Sequence, residues 1–525
     1  MAIPEICNAE KMIGSELLYL DAVGFQEKKR PLLKVDTLEE LKPKKGSSFK
    51  QIVVALAANV GTMNTGLVFG YSAVSLPQLQ AKGSRLLINR HQASWIASVS
   101  TIGTPCGCIL SGYLTDLVGR KKTLLFTQLP AIIGWIMIGS ATSVEWIYVG
   151  RFLAGLSSGM IGAPSRVYTC EVSQPHLRGV LSGFASVGTS LGVMLEYLAG
   201  SILDWYTLAY FNALLSTTAL CAAFFIPESP SWLISSQKDE KRCKASLKRV
   251  RDSTCDVDVE VNNLVTFSEN NTKLSAKKKL KMICQASTVK PFLILTTYFI
   301  LSQYSGLNVV TFYAVDIIKD SGSTLDKYVA TILLGVIRLL FTVIGCMLMW
   351  RFGRKTLSYV SSIGCGLSMV CFGGYMVQHD IWKSQGITPR ATWVPVMNLS
   401  TFYAASTIGY LIVPWVMIGE VYPNQVRGVV GGLTTCVGHF SLFVVLQTYP
   451  IFQEHFTKPG TFFIYGVVAL SSTLFIYLYL PETKGKSLQE IEESFVKKKK
   501  PDIGNKVVVP DIVNNLPKAA PNVVV

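Results

Sequence analysis

The stretch GYLTDLVGRKK, residues 112–122, decides the fold because it sets a short charged turn between two long uncharged runs. Those runs, 91–115 and 123–144, are each longer than the ~20 residues that an α-helix needs to cross a bilayer. Further uncharged runs of this length cover 51–81, 205–227, 291–315, 356–379, 391–419, 428–453 and 459–481. Three more apolar stretches are interrupted only by isolated charges, at Arg151 and Arg166, at Glu196 and at Arg338. The sequence therefore predicts an all-α membrane protein with twelve transmembrane helices.

The composition excludes the other broad classes of protein. Apolar residues make up 50% of the 525 residues and charged residues only 16%, whereas a soluble chain carries about 25% charge. The mean hydropathy is +0.38. Soluble, fibrous and disordered proteins are excluded, and we expect no enzymatic activity, because no nucleophile–base constellation, phosphate-binding loop or metal-ligand cluster is present. We therefore expect no cofactor and no metal.

The net charge of +16 indicates membrane topology rather than nucleic-acid binding. The two tails and alternate loops hold about 38 of the 49 basic residues, and such loops are cytoplasmic by the positive-inside rule. Both termini are therefore predicted to be cytoplasmic, in a monomeric, multi-pass protein of the plasma membrane whose partners are the lipid bilayer and a small solute. None of the twelve cysteines falls in a loop predicted to be external, so no external disulfide is expected.

Loop lengths divide the chain into five parts. Residues 1–50 form an N-terminal tail, 51–226 a first set of six spans, 227–290 a linker, 291–480 a second set of six, and 481–525 a C-terminal tail. Apolar residues at helical spacing, such as Cys243, Leu247 and Val250, predict amphipathic helices in the linker. A flexible charged linker is the alternative.

The two halves of the chain repeat three short motifs in the same order. Gly119-Arg120-Lys121 recurs as Gly353-Arg354-Lys355 at an offset of 234. Glu171, seven residues before Arg178, recurs as Glu420, seven before Arg427, at an offset of 249. Pro227-Glu228-Ser229 recurs as Pro481-Glu482-Thr483 at an offset of 254. Parallel internal repeats with a site between them are a transporter architecture.

Each repeated motif combines acidic and basic residues at the cytoplasmic end of a span. We expect pairs such as Glu171 with Arg120 and Glu420 with Arg354 to latch the two halves together and to break when the halves separate. Solvated charges that only set topology are the alternative. The predicted cytoplasmic gating network consists of Asp116, Arg120, Glu171, Arg178, Glu228, Arg354, Glu420, Arg427 and Glu482.

These motifs resemble the sugar porter family of the major facilitator superfamily. The resemblance covers about 50–490 and rests on GYLTDLVGRKK (112–122), Gly150-Arg151-Phe152, PESPSWL (227–233), QYSGLN (303–308), Pro414-Trp415 and PETKG (481–485). Within the family, the chain is most similar to insect facilitated trehalose transporter-like proteins. The resemblance implies the major facilitator fold, two pseudo-symmetric six-helix bundles that alternately expose one sugar site to either side of the membrane.

The resemblance also implies which residues bind the sugar. Gln303 and Asn308 match positions that bind sugar hydroxyls, Trp415 matches a stacking tryptophan, and Phe312 and Tyr313 match an outer aromatic gate. Amides suit hydroxyl groups, and an aromatic face suits the apolar side of a sugar ring. Four other positions of the family's site depart from its usual residues and are also candidates for substrate binding: Ser302, Ser186, Arg338 and His439.

Arg338 is the most unusual of these residues because an arginine within a span is costly unless it faces a cavity or a partner. It either contacts substrate oxygens or pairs with Glu196, the only acid in the middle of a predicted span. A second departure concerns proton coupling, because Ser72 stands where many proton-coupled sugar porters carry an acid.

The predicted function is therefore facilitative uniport of a hexose or of a disaccharide such as trehalose. Proton-coupled sugar symport through Glu196, transport of a non-sugar organic anion and a non-transporting nutrient sensor remain alternatives. Trp350, in place of the family's acid before Arg351, predicts a weaker inner latch in the second half.

Overall fold

The structure, a computed structural model, describes residues 48–252, 255–270, 281–423, 426–486 and 488–495. Most of the two predicted tails, residues 1–47 and 496–525, therefore lies outside the described residues, as does 271–280 of the linker. The described secondary structure is helical, with no strand in these ranges. All the described helices belong to one compact unit.

The first half of the chain forms a series of long helices before a short linker. A 3₁₀ turn, Val60–Thr62, joins α1 to α2. The helices are α1 (Phe49–Asn59), α2 (Met63–Leu79), α3 (Arg90–Val118), α4 (Arg120–Gly139), α5 (Val144–Val172), α6 (Pro175–Ser182), α7 (Phe184–Gly200) and α8 (Trp205–Phe225).

The linker is helical over most of its described residues. It contains α9 (Pro230–Trp232), one π-helical turn (Leu233–Gln237), α10 (Glu240–Val250) and α11 (Val257–Asn270). Cys243, Leu247 and Val250 on α10 are buried, and the first two pack in a small apolar cluster with Trp232 and Val261. The apolar residues at helical spacing in this part of the linker thus face a packed core.

The second half of the chain follows the same plan. Its helices are α12 (Ala286–Tyr304), α13 (Leu307–Phe312), α14 (Ala314–Asp320), α15 (Lys327–Arg351), α16 (Arg354–Ser384), α17 (Val394–Ile408), α18 (Val413–Val421), α19 (Arg427–Tyr479) and α20 (Leu488–Phe495). The long α19 is two helices merged across a kink at Thr457, whose φ of 66° is not helical.

Eight described helical segments are long and apolar enough to cross a membrane. They are Phe49–Leu79, Arg90–Val118, Arg120–Gly139, Trp205–Phe225, Lys327–Met349, Arg354–Ser384, Val394–Val421 and Arg427–Tyr479. Eight of the nine uncharged runs and the stretch around Arg338 lie largely within them, since the last segment holds two runs, and the run 291–315 and the stretches around Arg151 and around Glu196 lie on other helices. The chain is therefore a predominantly helical membrane protein.

Helix pairs within each half pack closely because small residues line their contacts. A Cβ atom added to Gly155 or Gly159 of α5 would overlap the backbone of Ser100 or Thr104 on α3. Helices that approach this closely gain van der Waals contact in lipid, where the hydrophobic effect does not hold them together. The first half contacts the second mainly through four pairs of helices: α3 with α19, α7 with α15, α2 with α13, and α2 with α14.

Candidate functional site

A cavity lies between the two halves of the chain, in a space of about 450 Å³ that includes open solvent. Almost all of its wall comes from α12, α13, α18, α19 and the segment before α18, and only Phe69 of α2 comes from the first half. The lining residues are Phe69, Phe299, Ser302, Gln303, Leu307, Asn308, Tyr410, Leu411, Trp415, Gly438, His439 and Leu442.

The break between α12 and α13 brings two amides together. Gly306 has a φ of 87°, a left-handed conformation that favours glycine, and α13 starts at the next residue. Across this turn, the Asn308 Nδ2 donates a hydrogen bond of 2.7 Å to the Gln303 Oε1. The Asn308 Oδ1 is buried and has no hydrogen-bond partner among the described residues. A buried acceptor left without a donor is costly, so this oxygen suits a ligand hydroxyl group.

Aromatic side chains form the wall opposite these amides. The Trp415 ring centroid lies 5.3 Å from that of Phe299 and 5.7 Å from that of His439. Trp415 lies in the first turn of α18, just after Pro414, and the helix is broken immediately before this turn. The His439 Nδ1 lies 2.9 Å from the backbone oxygen of Thr435, one turn earlier on α19. Amides and an aromatic wall together can bind a neutral polyhydroxyl ring.

The predicted gate residues Phe312 and Tyr313 lie at one side of this cavity. The Phe312 ring is 5.2 Å from that of Phe69, and the Tyr313 ring is 4.8 Å from that of Tyr449. Phe312 thus contacts the first half of the chain, and both rings are buried. Aromatic contacts of this kind, between elements that must separate, suit a gate.

The halves also meet farther out at this end of α3, which we call the Asn89 end. Ser94 and Ser98 on α3 both donate to the Gln447 Oε1 on α19, over 3.0 and 2.8 Å. Arg90 and Glu454 add a loose ion pair of 3.9 Å, exposed on both sides. The two halves are therefore in contact at the Asn89 end, through residues that the sequence had not indicated.

Arg338 lies away from this cavity, contrary to one of the two readings of its sequence. It is fully buried, donates 2.8 Å to the Thr311 Oγ1 and has its guanidinium carbon 5.9 Å from the Tyr403 ring centroid. The second reading also differs from the structure, because Glu196 instead accepts a hydrogen bond of 3.0 Å from Asn212. No Arg338–Glu196 ion pair is present among the described residues.

Among the other predicted substrate-binding residues, Ser302 and His439 line the cavity and Ser186 does not. The Ser302 hydroxyl donates to the backbone oxygen of Phe299, which leaves its oxygen free to accept. Ser186 lies near the start of α7, outside the cavity wall. The structure therefore brings together Gln303, Asn308, Trp415, Ser302 and His439.

At the opposite end of α3, the Arg120 end, the first copy of the repeat forms a cluster that we call ring 1. The Arg120 side chain binds both carboxylate oxygens of Glu171, with nitrogen–oxygen distances of 2.9–3.2 Å. The Glu228 Oε1 accepts from the backbone N–H groups of Arg120 and Lys121, both at 2.9 Å. The Ser229 hydroxyl also bonds to the Glu171 carboxylate. Ring 1 thus fixes the start of α4, where carboxylates also favour the helix dipole.

The second copy forms ring 2 with the same contacts. Arg354 binds the Glu420 carboxylate at 2.6 and 3.1 Å. The Glu482 carboxylate accepts from the backbone N–H groups of Arg354 and Lys355 at 3.0 and 3.1 Å. The Thr483 hydroxyl donates to the Glu420 Oε2 at 2.6 Å. Ring 2 fixes the start of α16 as ring 1 fixes the start of α4.

The rings correct the predicted latch between the halves. The predicted partners do meet, but Arg120 and Glu171 both belong to the first half, and Arg354 and Glu420 both belong to the second. The repeated motifs predicted which residues pair. They did not predict that each pair lies within one half, because that depends on which helices pack side by side. The rings therefore brace each half internally.

The remaining members of the predicted network lie at its edge. The exposed Asp116 is 3.7 Å from the Arg120 Nη1. Arg427 donates to the backbone oxygen of Tyr422 at 3.0 Å rather than to an acid. Arg178 is exposed and makes no ion pair with any residue that the structure describes. Arg178 and Arg427 therefore add little to the rings, whereas Asp116 gives Arg120 a second, exposed carboxylate.

Ser72 has a clear structural partner. The fully buried Arg151 donates 2.6 Å to the Ser72 Oγ, and its other bonds go to Ser100 and to the backbone oxygens of Val68 and Ile96. Neutral oxygens on α2 and α3 thus satisfy this arginine without a carboxylate at position 72. No group of side chains suited to a metal ion occurs among the described residues.

Residues 37–495 match the family described as sugar (and other) transporters. The facilitated trehalose transporter Tret1 of Culex quinquefasciatus is 31% identical over 446 residues, 85% of this chain and 86% of that protein. Tret1 of Apis mellifera ligustica is also 31% identical over 446 residues, with coverages of 85% and 88%.

Two solved structures are similar in fold. The proton:xylose symporter XylE bound to 6-bromo-6-deoxy-D-glucose has a TM-score of 0.69 and 22% identity, covering 86% of this chain and 100% of that one. The inward open conformation of the xylose transporter XylE from E. coli has a TM-score of 0.67 and 20% identity, with coverages of 84% and 99%. This chain shares their helical transporter fold.

Proposed function

The chain belongs to the family of sugar (and other) transporters, as its motifs predicted, and on that premise we propose that it carries a hexose, or a disaccharide such as trehalose, by facilitated diffusion. The observation that carries this proposal is the unpartnered Asn308 Oδ1 in a cavity walled by Trp415 and Phe299. A sugar supplies the missing hydroxyl donor and an apolar face for the rings. The facilitated trehalose transporters among its relatives support both the solute and the mode.

The sugar site of this proposal consists of Gln303, Asn308, Trp415, Ser302 and His439. Gln303 and Asn308 bind hydroxyl groups, and Trp415 contacts the ring of the sugar. Arg338 does not contact the sugar directly in this proposal. It donates a hydrogen bond to Thr311, which lies one turn beyond Asn308 on α13. Arg338, whose Nε and Nη2 are buried without a hydrogen-bond partner among the described residues, is not among the residues that line the cavity.

The architecture of this proposal is two six-helix bundles, 51–226 and 291–480, that rock about the cavity. The duplicated rings and the contacts of α3 with α19 and of α7 with α15 support it. The excess of basic residues places the Arg120 end and both termini in the cytoplasm, and the Asn89 end outside the plasma membrane. Phe312 and Tyr313 then form the outer gate, which is closed in this conformation.

The uniport mode rests on Ser72, which cannot titrate and which satisfies Arg151 as a neutral acceptor. One observation favours a second candidate, proton-coupled symport. The Glu196 carboxylate is fully buried on α7, and its Oε2 has no hydrogen-bond partner. Such a group suits proton binding and release within a membrane.

Uptake of labelled trehalose and glucose into liposomes that contain the purified protein tests the function and the mode. A uniporter equilibrates the sugar, shows counterflow and ignores an imposed proton gradient. Accumulation above equilibrium that a protonophore abolishes, and that Glu196→Gln removes, would instead establish symport. Binding of sugar without any flux would identify a nutrient sensor.

A further inference from the structure

Arg166 lies on α5 in the first half of the chain, and its side chain contacts a residue of the second half. Its guanidinium carbon lies 5.3 Å from the Trp415 ring centroid, a cation–π contact with a wall residue of the cavity. Its Nη1 donates a hydrogen bond of 3.1 Å to the backbone oxygen of Gly162. Since Trp415 precedes ring 2 on α18, Arg166 lies between the cavity and the Arg120 end.

The repeat explains why these two residues meet. Arg166 stands five residues before Glu171, and Trp415 stands five residues before Glu420, so the two positions are equivalent at the same offset of 249. Equivalent positions of two pseudo-symmetric halves can touch only near the axis that relates the halves. A solute that leaves the cavity toward the Arg120 end has to pass this axis.

No acid balances the charge of Arg166. Among the described residues, no carboxylate lies within ion-pair distance of it, whereas Arg120, Arg251 and Arg354 each bind one. In contrast to Arg338, Arg166 is half-buried, and none of its nitrogens is both buried and unpartnered. An unpaired charge at this depth is tolerated where it faces water between the helices.

The other titratable groups around Arg166 are neutral thiols from both halves. Cys108 on α3, Cys170 on α5 and Cys346 on α15 are near enough to interact with it electrostatically. All three are half-buried and free of disulfides. The guanidinium is therefore the dominant charge at this point of the path.

We propose that Arg166, stacked on Trp415, selects solutes by charge, so that the protein carries neutral sugars and rejects protonated amino sugars. This inference rests on the proposed sugar transport. A fixed arginine in a narrow path raises the energy of a cation there and leaves a neutral solute unaffected. The five N–H donors of Arg166 also suit sugar hydroxyls in passage.

Competition among labelled sugars in liposomes tests the proposal. Glucosamine at a pH at which its amine is protonated is compared with glucose and with the uncharged N-acetylglucosamine, in the wild type, Arg166→Gln and Arg166→Lys. We expect Arg166→Gln to raise the uptake of glucosamine relative to glucose roughly tenfold and to leave the N-acetylglucosamine ratio unchanged. Arg166→Lys keeps the charge and should keep the rejection.

Two further variants serve as controls. Arg166→Met retains the alkyl contact with Trp415 and replaces Arg166→Gln if that variant fails to fold. Arg390→Gln removes an exposed arginine far from the cavity lining and should leave all ratios as in the wild type. An unchanged glucosamine ratio in a folded Arg166→Gln or Arg166→Met protein overturns the proposal.

A second measurement separates failure of this proposal from failure of the transport function. If the wild type carries no sugar at all, the proposed function fails, and the charge of the path is then measured directly on Cys346. Anionic and cationic methanethiosulfonates label this thiol at rates that mass spectrometry can follow. We expect the anionic reagent to react several-fold faster, and Arg166→Gln to remove that preference. Equal rates in the wild type overturn the proposal.

Discussion

Ring 1 and ring 2 are built alike but are not equally secured. In each ring an arginine binds one glutamate, a second glutamate caps the following helix, and a hydroxyl residue bonds to the first glutamate. Around Arg120, however, Asp116 supplies a second carboxylate at 3.7 Å. No second acid lies within ion-pair distance of Arg354 among the described residues. Ring 2 therefore depends more strongly on Glu420 than ring 1 depends on Glu171.

The backbone shows the opposite inequality. Gly119, before α4, has a φ of 100°, whereas Gly353, before α16, has an ordinary φ of −71°. The backbone conformation at Gly119 disfavours any side chain, whereas Gly353 has an ordinary conformation and a side chain there is restricted only by the nearby Glu482 carboxylate. Ring 1 thus depends on the backbone conformation of a glycine, and ring 2 depends on a single acid. The two copies of the repeat share their contacts but differ in what stabilises those contacts.

The largest expected effect comes from removal of the arginine's carboxylate partner. Glu420→Gln should lower the maximal rate of sugar uptake roughly tenfold or more, because Arg354 is left half-buried without an acid. Glu171→Gln should lower the rate about two- to fivefold, because Asp116 remains beside Arg120. Initial rates in liposomes, normalised to the amount of folded protein, measure both. An equal or larger loss in Glu171→Gln would mean that Asp116 contributes nothing.

The glycines provide a test of stability. Gly119→Ala should destabilise the protein by about 1–3 kcal/mol, because alanine must adopt the disfavoured conformation and because its Cβ would lie 2.6 Å from the Glu228 Oε2. Gly353→Ala meets the Glu482 carboxylate but adds no backbone strain, so its loss should be smaller. Thermal unfolding of the two purified variants in detergent gives the order. Greater stability of Gly119→Ala than of Gly353→Ala would contradict this comparison.

The smallest effect is a pH dependence at Glu482. Burial acts to raise the pKa of this carboxyl, but hydrogen bonds from the backbone N–H groups of Lys484, Arg354, Lys355 and Thr483 outweigh burial and lower it. A carboxyl whose pKa is lowered by folding contributes stability above its unfolded pKa, about 4.3, and loses it as pH falls through the folded value.

Glu482→Gln should therefore be less stable than the wild type near pH 7, and the difference should shrink below about pH 4.3. Thermal unfolding of the two proteins across this pH range measures it. A difference that stays constant with pH would show that the Glu482 charge does not stabilise ring 2.

The repeats let the sequence predict the helical membrane fold and the partners in both rings. Glu171 and Glu420 each stand seven residues before an arginine, Arg178 and Arg427, so the two glutamates could be recognised as equivalent positions at the same end of the helices. Gln303, Asn308 and Trp415 could be assigned by resemblance to the sugar porters. Gly306 explains why the two amides meet, since it breaks the helix between them.

Other features depend on how each helix is rotated about its own axis, which no sequence pattern determines. Arg338 points to Thr311 and Tyr403 rather than to the cavity because α15 packs on α7 through Gly335, which lies against Met194 and Tyr197. The offset of 249 between Arg166 and Trp415 was readable in the sequence, but their stacking needed the packing of α5 and α18. No sequence motif predicted the hydrogen bonds from Ser94 and Ser98 to Gln447.

Sugar binding by the amides next to Gly306 is the central claim, and equilibrium binding to the purified protein tests it most directly. The affinity for the transported sugar is compared among the wild type, Asn308→Ala and Asn398→Ala, the last of which removes a buried asparagine of α17 that does not line the cavity. We predict that Asn308→Ala weakens binding by about 5- to 100-fold, the loss expected for one or two buried hydrogen bonds, and that Asn398→Ala leaves it unchanged. Equal affinities in all three proteins would place the sugar elsewhere and contradict the account.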